Sequence, residues 1–463
     1  MSDQRKRIWG WMMFDWASQP YATVLLTFIF GPFFAEAVII KLTANGMAPA
    51  AAQASAQAYW GYGLTAAGVI IAVLAPVLGA MADGTGRRLP WIWGFSGLYV
   101  LGCFGLWLAV PGTLDIPLVL AFFAFGLIGA EFATIFTNAM LPDLGARGEI
   151  GRISGSGWAW GYVGGIIALA LVLLFLAENA AGVTFLGIAP VFGLDPDMRE
   201  GTRAVGPLAG LWYIVFMIPF FLWVRDRPEA ARARPSLRRG LTDLAATIRR
   251  LPGQASLSTY LLSSMFYRDA LNGMYTFGGI YALGTLGWSV VDIGIFGIVA
   301  AITGAIFAYV GGRADGRRGP KPVIMTAIVV LLGVSVAIIL ISRDAVLFVP
   351  VAAGSMAPDI AFYLCGCLIG AAGGALQAAS RTMMVRQANP HRMTEAFGLY
   401  ALSGKATSFL APAAIALATD ISGSQRLGIT PLIVLFLAGL ILLIWVEPEG
   451  AQEPSWSASP EPS

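Results

Sequence analysis

Apolar stretches long enough to cross a lipid bilayer recur along this whole chain. A helix that spans the hydrocarbon core needs about twenty mainly apolar residues. Stretches of this kind lie near residues 16–40, 60–82, 90–110, 116–140, 155–176, 207–224, 257–284, 290–311, 322–341, 360–383, 395–418 and 430–446. The sequence therefore predicts an all-α membrane protein with twelve transmembrane helices.

The composition excludes a water-soluble globule. Of the 463 residues, 57% are hydrophobic and only 12% are charged, and the mean hydropathy is +0.74. Water-soluble domains carry about 25% charged residues, so this chain has too few polar side chains to cover its surface. Most of the chain must therefore face lipid, and we expect the lipid bilayer as its main partner. The net charge is only +3, and we expect no nucleic acid partner.

The cysteines and the histidine bear on redox and metal chemistry. Cys103, Cys365 and Cys367 all lie in apolar runs, and two of them are a single residue apart, so we expect no disulfide framework. His391 is the one histidine, and we expect neither a metal site nor another cofactor. The sequence lacks a nucleotide-binding Gly-x4-Gly-Lys-Ser/Thr loop and a paired-carboxylate motif. We therefore expect neither ATP-driven pumping nor enzymatic activity.

The basic residues predict the orientation of the chain in the membrane. If the N-terminus is cytoplasmic, 22 of the 29 lysines and arginines fall in cytoplasmic segments and five fall in the opposite loops. Cytoplasmic loops carry such an excess of positive charge. The apolar run from Trp9 to Phe34 is too long for a signal peptide. We therefore expect a multi-pass protein of a bacterial inner membrane, with both termini in the cytoplasm.

The chain is expected to fold as two bundles joined by a basic linker. We assign residues 1–228 to an N-terminal six-helix bundle, 229–255 to a cytoplasmic linker and 256–446 to a C-terminal six-helix bundle. In the linker, apolar residues recur at helical spacing among arginines, which predicts an amphipathic helix on the anionic inner leaflet. Residues 447–463 are rich in Pro, Glu and Ser and are predicted to form a disordered cytoplasmic tail.

The two halves carry matching signals at matching places. In the second and eighth spans a glycine, Gly79 or Gly311, precedes an aspartate by four residues, and a glycine turn with arginines follows. Such a carboxylate could bind the positive N-terminal end of a helix of the other half and stabilise the state closed to the cytoplasm; the alternative is a simple turn aspartate. The candidate gating residues are Asp83, Arg87, Arg88, Asp315, Arg317 and Arg318.

These glycine–aspartate–arginine loops resemble the signature loop of the major facilitator superfamily, and the resemblance covers about residues 10–446. A narrower resemblance, to the "unknown major facilitator" family, rests on the segments FDWAS at 14–18, NAMLPD at 138–143, FGGIY at 277–281 and AFGLYALSGK at 396–405. That family includes the autophagy-related vacuolar amino-acid effluxer. The resemblance implies two pseudo-symmetric bundles and a secondary transporter, of amino acids or another small solute, that works by alternating access.

Polar and charged side chains inside the spans are the candidates for a substrate and proton pathway. They are Asp15, Glu131, Asn138, Arg268, Asp269, Asn272, Gln377 and Lys405. A charge at the centre of a spanning helix costs about 2.5–3.5 kcal/mol on insertion scales. In the facilitator fold, spans one, four, seven and ten line the cavity, so the resemblance places Glu131 and Arg268 there.

These candidates have both functional and structural interpretations. Glu131 is either a protonatable coupling site or a structural carboxylate, and Arg268 and Lys405 either bind a substrate carboxylate or form salt bridges between helices. Arg268 and the adjacent Asp269 project about 100° apart on a helix, so they need not pair with each other. Asp15 could serve as a gate or cap, and the amides of the set could simply hold helices together.

Other functions remain open at this stage. The alternative transport function is export of drug-like or lipid-like compounds, and a different class is a receptor or scaffold that transports nothing. We expect a small-molecule substrate, protons as a candidate coupling partner, and a monomer.

Overall fold

The computed structural model describes residues 2–179, 181–226, 237–352 and 354–450. Its α-helices are α1 (Asp3–Pro20), α2 (Phe30–Ala44), α3 (Pro49–Thr85), α4 (Leu89–Gly105), α5 (Ile116–Ala139), α6 (Ile150–Phe175), α7 (Glu200–Arg203), α8 (Val205–Trp223), α9 (Leu237–Arg250), α10 (Ala255–Leu286), α11 (Val290–Arg318), α12 (Pro320–Ile339), α13 (Ala357–Gln387), α14 (Met393–Ala406), α15 (Leu410–Ser422), α16 (Gln425–Gly428) and α17 (Thr430–Ile444). Strands β1 (Ala345–Val346) and β2 (Val349–Pro350) pair antiparallel.

The helices follow the apolar stretches of the sequence. Among the described residues, 11 helical segments are long and apolar enough to cross a membrane, and each overlaps a predicted span. The remaining predicted span, 257–284, lies within α10, which is 32 residues long. Arg268, Asp269 and Asn272 near its middle make α10 less apolar than the other segments. The count of exactly twelve spans therefore stays a prediction.

Two of the predicted continuous spans are interrupted. In the first span, α1 ends at Pro20 and the π-helical turn Tyr21–Phe28 leads into α2. In the eleventh, α14 ends at Ala406 and α15 begins at Leu410. Pro412 stands in the first turn of α15, where the missing N–H of proline costs nothing because those amides lack intrahelical partners. The eleventh span is therefore two helices in series.

The chain divides into two compact units. Unit 1 comprises Met1–Leu74, Gly86–Thr137 and Trp160–Ala230, and unit 2 comprises Ala75–Thr85, Asn138–Ala159 and Ala231–Ser463. In unit 1, α8 packs against α1 and α4; in unit 2, α13 packs against α11 and α12, and α10 packs against α17. Unit 2 thus contains the end of α3 and the start of α6, both from the first half of the sequence.

Aromatic side chains form much of the core of unit 1. Trp16 of α1 stacks on Trp212 of α8, with ring centroids 5.8 Å apart. Tyr99 of α4 stacks on Tyr213 of α8 at 4.2 Å, and the Tyr213 hydroxyl lies 2.8 Å from the Ser96 hydroxyl. Since buried tyrosines usually hydrogen-bond through their hydroxyl groups, the Ser96 contact fixes the register of α4 on α8.

The segment after α17 begins with an ordered stretch. The Glu447 amide donates to Ser256 Oγ at 2.9 Å, and Gln387 Nε2 donates to the Glu447 carbonyl oxygen at 2.6 Å. The predicted disorder of the tail concerns mainly residues 451–463, which lie outside the described residues, as do linker residues 227–236.

Candidate functional site

Asp83, near the end of α3, caps the N-terminus of α14. Its Oδ1 accepts a hydrogen bond from the Thr394 amide at 3.2 Å, and its Oδ2 accepts one from the Glu395 amide at 2.8 Å. These amides belong to the first turn of α14, where N–H groups lack intrahelical partners and the helix dipole attracts negative charge. Gly79 allows this approach, since a Cβ there would lie 2.6 Å from the Thr394 carbonyl oxygen. The gate hypothesis assumes a contact of this kind, and the gating role of Asp83 itself stays a prediction.

Asp315, the matching residue of α11, has different surroundings. Its side chain is 1% exposed and packs against the start of α6, where a Cβ on Gly151 would lie 2.5 Å from Asp315 Cγ. Neither carboxylate oxygen accepts a hydrogen bond from a described residue. The neighbouring Thr382 hydroxyl donates instead to the Ala378 carbonyl oxygen at 3.3 Å. Asp315 therefore meets the start of α6 without capping it.

The arginines of the two loops lie at or near the surface. Arg87 is exposed and Arg88 is half-buried, while Arg317 and Arg318 are exposed on the last turn of α11. The Arg88 amide donates to Asp226 Oδ1 at 3.0 Å, so Asp226 caps the start of α4. The contacts described between these loops and the neighbouring helices α14 and α6 are therefore made by the aspartates and by glycines.

Glycines bring the corresponding helices of the two sequence halves into close contact within unit 2. A Cβ on Gly398 of α14 would lie 2.5 Å from the Ala75 carbonyl oxygen of α3. A Cβ on Gly155 of α6 would lie 2.6 Å from Gly312 Cα of α11. In the sequence, Gly155 of the fifth span and Gly398 of the eleventh each precede a second glycine, Gly161 or Gly404, by six residues. The internal duplication therefore reappears as two similar helix crossings, α3 on α14 and α11 on α6.

Arg381 of α13 is a buried residue that the sequence analysis missed. The charge pattern of the sequence places Arg381 among the 22 basic residues of the cytoplasmic segments, but it lies inside the helix and is only 4% exposed. Its Nε donates to Ser154 Oγ at 2.9 Å, and its two terminal nitrogens donate to the Ser154 carbonyl oxygen at 2.7 Å and to Asn138 Oδ1 at 3.1 Å. The signal that could have placed it is the run of apolar residues on both sides, at 378–379 and 383–384.

Asn138, a candidate for the substrate pathway, is thereby placed beside Arg381. It stands in the last turn of α5 and belongs with Ser154 to unit 2. Its amide oxygen accepts the hydrogen bond from Arg381, so the contact of Asn138 ties the end of α5 to α13.

Arg268 of α10 lies against α14. Its guanidinium carbon is 4.0 Å from the centroid of the Tyr400 ring, and one terminal nitrogen donates to the Tyr400 carbonyl oxygen at 2.9 Å. A Cβ on Gly404 would lie 2.8 Å from the guanidinium group, so the glycine gives the arginine its space. The side chain is half-buried, and no carboxylate of the described residues lies within 4.0 Å of its nitrogens.

Asp269 takes a different partner from its neighbour Arg268, as the angle between successive helical residues requires. Its side chain is 2% exposed, and its Oδ2 accepts a hydrogen bond at 2.8 Å from the Ala411 amide in the first turn of α15. Its Oδ1 accepts none from the described residues. Asp269 therefore caps the second helix of the interrupted eleventh span.

The tyrosines around Arg268 form a connected group within unit 2. The ring of Tyr260 stacks on that of Tyr400 at 6.2 Å. The Tyr260 hydroxyl donates to the Ser380 carbonyl oxygen at 2.6 Å, and the Tyr267 hydroxyl lies 2.8 Å from Ser380 Oγ. These contacts fix the aromatic face that Arg268 covers.

The other candidate residues are distributed over both units. In unit 1, half-buried Asp15 packs beside Gly161, where a Cβ would lie 3.4 Å from Asp15 Cβ, and Glu131 is half-buried midway along α5. In unit 2, Asn272 is exposed on α10, Gln377 is half-buried on α13 and Lys405 is half-buried at the end of α14. Within the described ranges, no group of three or more His, Cys, Asp or Glu residues could hold a metal ion.

Residues 3–453 match the protein family described as "Vacuole effluxer Atg22 like". A Bacillus subtilis protein named "Uncharacterized MFS-type transporter YxiO" is 25% identical over 453 residues, which cover 96% of each chain. Autophagy-related protein 22 of Cryptococcus neoformans is 25% identical over 303 residues, 63% of this chain and 49% of that protein. The chain thus matches about half the length of its fungal relatives.

Solved structures share the fold. The human organic anion transporter MFSD10 (TETRAN) superposes with a TM-score of 0.71 at 16% identity, covering 96% of this chain and 100% of that one. The proton:xylose symporter XylE gives a TM-score of 0.69 at 13% identity, covering 96% and 95%. A bacterial homologue of ferroportin in the outward-facing state gives 0.64 at 15% identity, covering 99% and 100%. The fold is therefore the all-α fold of the major facilitator superfamily.

Proposed function

The chain belongs to the family of Atg22-like vacuole effluxers, whose relatives are MFS-type transporters, and we propose that it carries a small solute with a carboxylate group, in the first place an amino acid, by alternating access. The multi-pass membrane fold and the transporter family give the general activity. The solute, the coupling ion and the orientation are the parts that we propose.

The observation that carries the choice of solute is the state of Arg268. A guanidinium group has five N–H donors in a planar fork that fits a carboxylate. Here one terminal nitrogen donates to the Tyr400 carbonyl oxygen, and the described residues accept no other hydrogen bond from it. A cation inside a spanning helix is costly unless it has a partner or a function. An anionic substrate supplies the carboxylate that the described residues do not place beside Arg268.

The surroundings of Arg268 suit a fixed binding group. Tyr400 holds the guanidinium by its ring face and its carbonyl oxygen, and Tyr400 is itself stacked on Tyr260. A pre-positioned cation loses less conformational freedom when a ligand binds. We therefore assign Arg268 to the substrate carboxylate, with Asn272 and Gln377 as candidate polar contacts.

Coupling and gating are assigned to separate residues. We assign the coupling proton to Glu131; the alternative is that its carboxylate only forms a structural ion pair. We assign Lys405 to the substrate and proton pathway as a positive charge. Asp83, through its cap on α14, is assigned to hold the cytoplasmic side closed. The rocking of two halves around a central site is the mechanism expected of repeated bundles.

The organic anion transporter that shares the fold supports a second candidate solute, an organic anion without an amino group. Both candidates need Arg268, because both carry a negative group. Export of neutral drug-like or lipid-like compounds does not need it. The response to Arg268 variants therefore separates the anionic solutes from the third possibility.

A thermal-shift screen of the purified protein tests the proposal, because a ligand that binds only the folded state raises the apparent stability. Amino acids, organic acids and the methyl esters of the same amino acids are compared. We expect shifts with the free carboxylates and none with the esters. Arg268→Gln should abolish the shift and Arg268→Lys should weaken it, while the exposed control Arg152→Gln keeps it. An equal shift with the esters, or a full shift in Arg268→Gln, contradicts the proposal.

The proposed location is a bacterial inner membrane with both termini in the cytoplasm. An accessibility tag inserted at Asp197 should be labelled from outside intact cells, and a tag following Ser463 should be labelled only after permeabilisation. The opposite result would reverse the orientation.

A further inference from the structure

Helix α9 of the linker is docked onto the end of α3. Gly240 of α9 is buried against Met81, and a Cβ at Gly240 would lie 2.6 Å from Met81 Cγ and 3.4 Å from the Val77 carbonyl oxygen. Thr247, seven residues along the helix and therefore on the same face, lies on this side too. Only a glycine lets α9 approach α3 this closely.

A hydrogen-bonded path connects α9 to the cap on α14. Arg392, directly before α14, donates through one terminal nitrogen to Thr247 Oγ1 at 3.0 Å and to Glu395 Oε2 at 3.2 Å. The Glu395 amide in turn donates to Asp83 Oδ2 at 2.8 Å. Through Gly240 and Thr247, α9 therefore contacts both partners of the Asp83 cap, the end of α3 and the start of α14.

The outer surface of α9 is apolar on one strip and basic beside it. Leu241 and Ile248 are seven residues apart and are 48% and 50% exposed. Arg238 and Arg249 are exposed as well and project within about 100° of this strip. An exposed apolar strip bordered by arginines fits the boundary between acyl chains and anionic headgroups. It fits a soluble partner less well, because α9 joins the ends of two membrane-associated helices, α8 and α10.

We propose that α9 is a clamp that anionic phospholipid tightens. The apolar strip inserts at the level of the headgroups, Arg238 and Arg249 bind lipid phosphates, and the docked helix then holds α3 and α14 together around Asp83. A ligand that binds one conformation better than another shifts the population toward it. Because α9 contacts the end of α3 and Arg392 while the Asp83 cap is formed, lipid bound to docked α9 favours the closed state. The proposal requires no particular substrate.

Hydrogen exchange of the Thr394 and Glu395 amides measures the clamp directly, since these amides form the cap. The full chain is placed in nanodiscs of phosphatidylcholine alone or of phosphatidylcholine mixed with phosphatidylglycerol. We expect the peptide containing both amides to exchange about fivefold more slowly with the anionic lipid, a typical size for coupling between sites. The peptide containing Ala411, whose amide is held by Asp269, serves as an internal reference that should not change.

Two sets of variants separate lipid binding from its transmission to the cap. Replacing Arg238 and Arg249 with Gln should abolish the slowing, whereas Arg152→Gln, which changes an exposed arginine of α6, should leave it. Thr247→Val keeps the lipid-facing surface but removes the bond to Arg392, so α9 should stay protected by anionic lipid while the cap no longer responds. Equal exchange in the two lipid mixtures overturns the proposal. So does protection that depends on protein concentration and not on lipid charge, which would assign the strip to a second copy of the chain.

Discussion

Asp83 and Asp315 hold matching positions in the two halves of the sequence, yet their carboxylates meet different surroundings. Asp83 is half-buried and accepts two backbone hydrogen bonds from the first turn of α14. Asp315 is almost fully buried beside Gly151 and accepts none from the described residues. A buried carboxylate without hydrogen bonds is destabilising, so the two loops contribute to this conformation in opposite ways.

The start of α6 is held by other contacts than a carboxylate cap. Gly155 lets α6 approach α11 closely, and Arg381 joins α13 to Ser154 of α6 and to Asn138. Both halves therefore have a close helix crossing, although Gly79 of the motif contacts α14 whereas its match Gly311 contacts α13 and the neighbouring Gly312 contacts α6. The electrostatic contacts of the two aspartates differ as well. The gate is expected to depend on Asp83 on one side and on Arg381 on the other.

The comparison of Asp83 with Asp315 treats both as structural residues of the loops, and it would be wrong if one of them carried the coupling proton. We expect Glu131→Gln to abolish uphill accumulation driven by a pH gradient while exchange of substrate continues, because the variant imitates the protonated form and cannot cycle. Asp315→Asn should keep gradient-driven accumulation. Both activities are measured in the same proteoliposomes. Wild-type accumulation in Glu131→Gln with loss in Asp315→Asn would move the proton role to the loop, and loss of exchange together with uptake would make Glu131 structural.

Arg381→Met should produce the largest loss of stability. It leaves Asn138 Oδ1 and both Ser154 oxygens without this donor in a buried place, which we expect to lower the free energy of unfolding by about 3 kcal/mol. Thermal unfolding in detergent measures the loss. The control is Arg152→Met, an exposed arginine with a surface ion pair to Glu149, which should change stability by less than about 1 kcal/mol. Equal losses of stability in Arg381→Met and Arg152→Met would show that Arg381 does not hold the start of α6.

Asp83→Asn and Asp315→Asn test the comparison itself. The first should weaken the cap by about 1 kcal/mol, since it removes the charge that the helix end attracts and one of two acceptors. The second should be neutral or stabilising, because it removes a buried carboxylate whose oxygens accept no hydrogen bond from the described residues. Cysteine labelling of the cavity from the cytoplasmic side should accelerate in Asp83→Asn only. Unchanged labelling in both variants would show that the Asp83 cap on α14 does not hold the cytoplasmic side closed.

The smallest effect on stability is expected from an exposed ion pair near the start of α6, the helix that Asp315 contacts. Arg147, just before α6, forms an ion pair with Glu449 at 2.8 Å, with the two side chains 55% and 45% exposed. Exposed pairs of this kind contribute at most about 1 kcal/mol. A double-mutant cycle of Arg147→Gln and Glu449→Gln, followed by thermal unfolding, should give a coupling energy in that range. A larger coupling would show that the segment after α17 replaces the missing cap.

The sequence by itself determined the features that depend on local composition. Apolar length predicted the spans, because a helix in lipid must satisfy its own backbone hydrogen bonds. The spacing of Gly79 and Asp83, repeated at Gly311 and Asp315, predicted the duplication. That Arg268 and Asp269 need not pair with each other followed from the helical angle alone.

Only the tertiary structure decided which groups meet. The burial of Arg381, the docking of Gly240 on Met81 and the position of the Asp315 carboxylate beside Gly151 all depend on the packing of residues far apart in the chain. The break between α14 and α15 had a local signal in Pro412, but the Asp269 carboxylate that caps α15 comes from another helix. A repeated motif fixes spacing along a helix, whereas the partner of each side chain depends on the neighbouring helix, and the two halves present different neighbours.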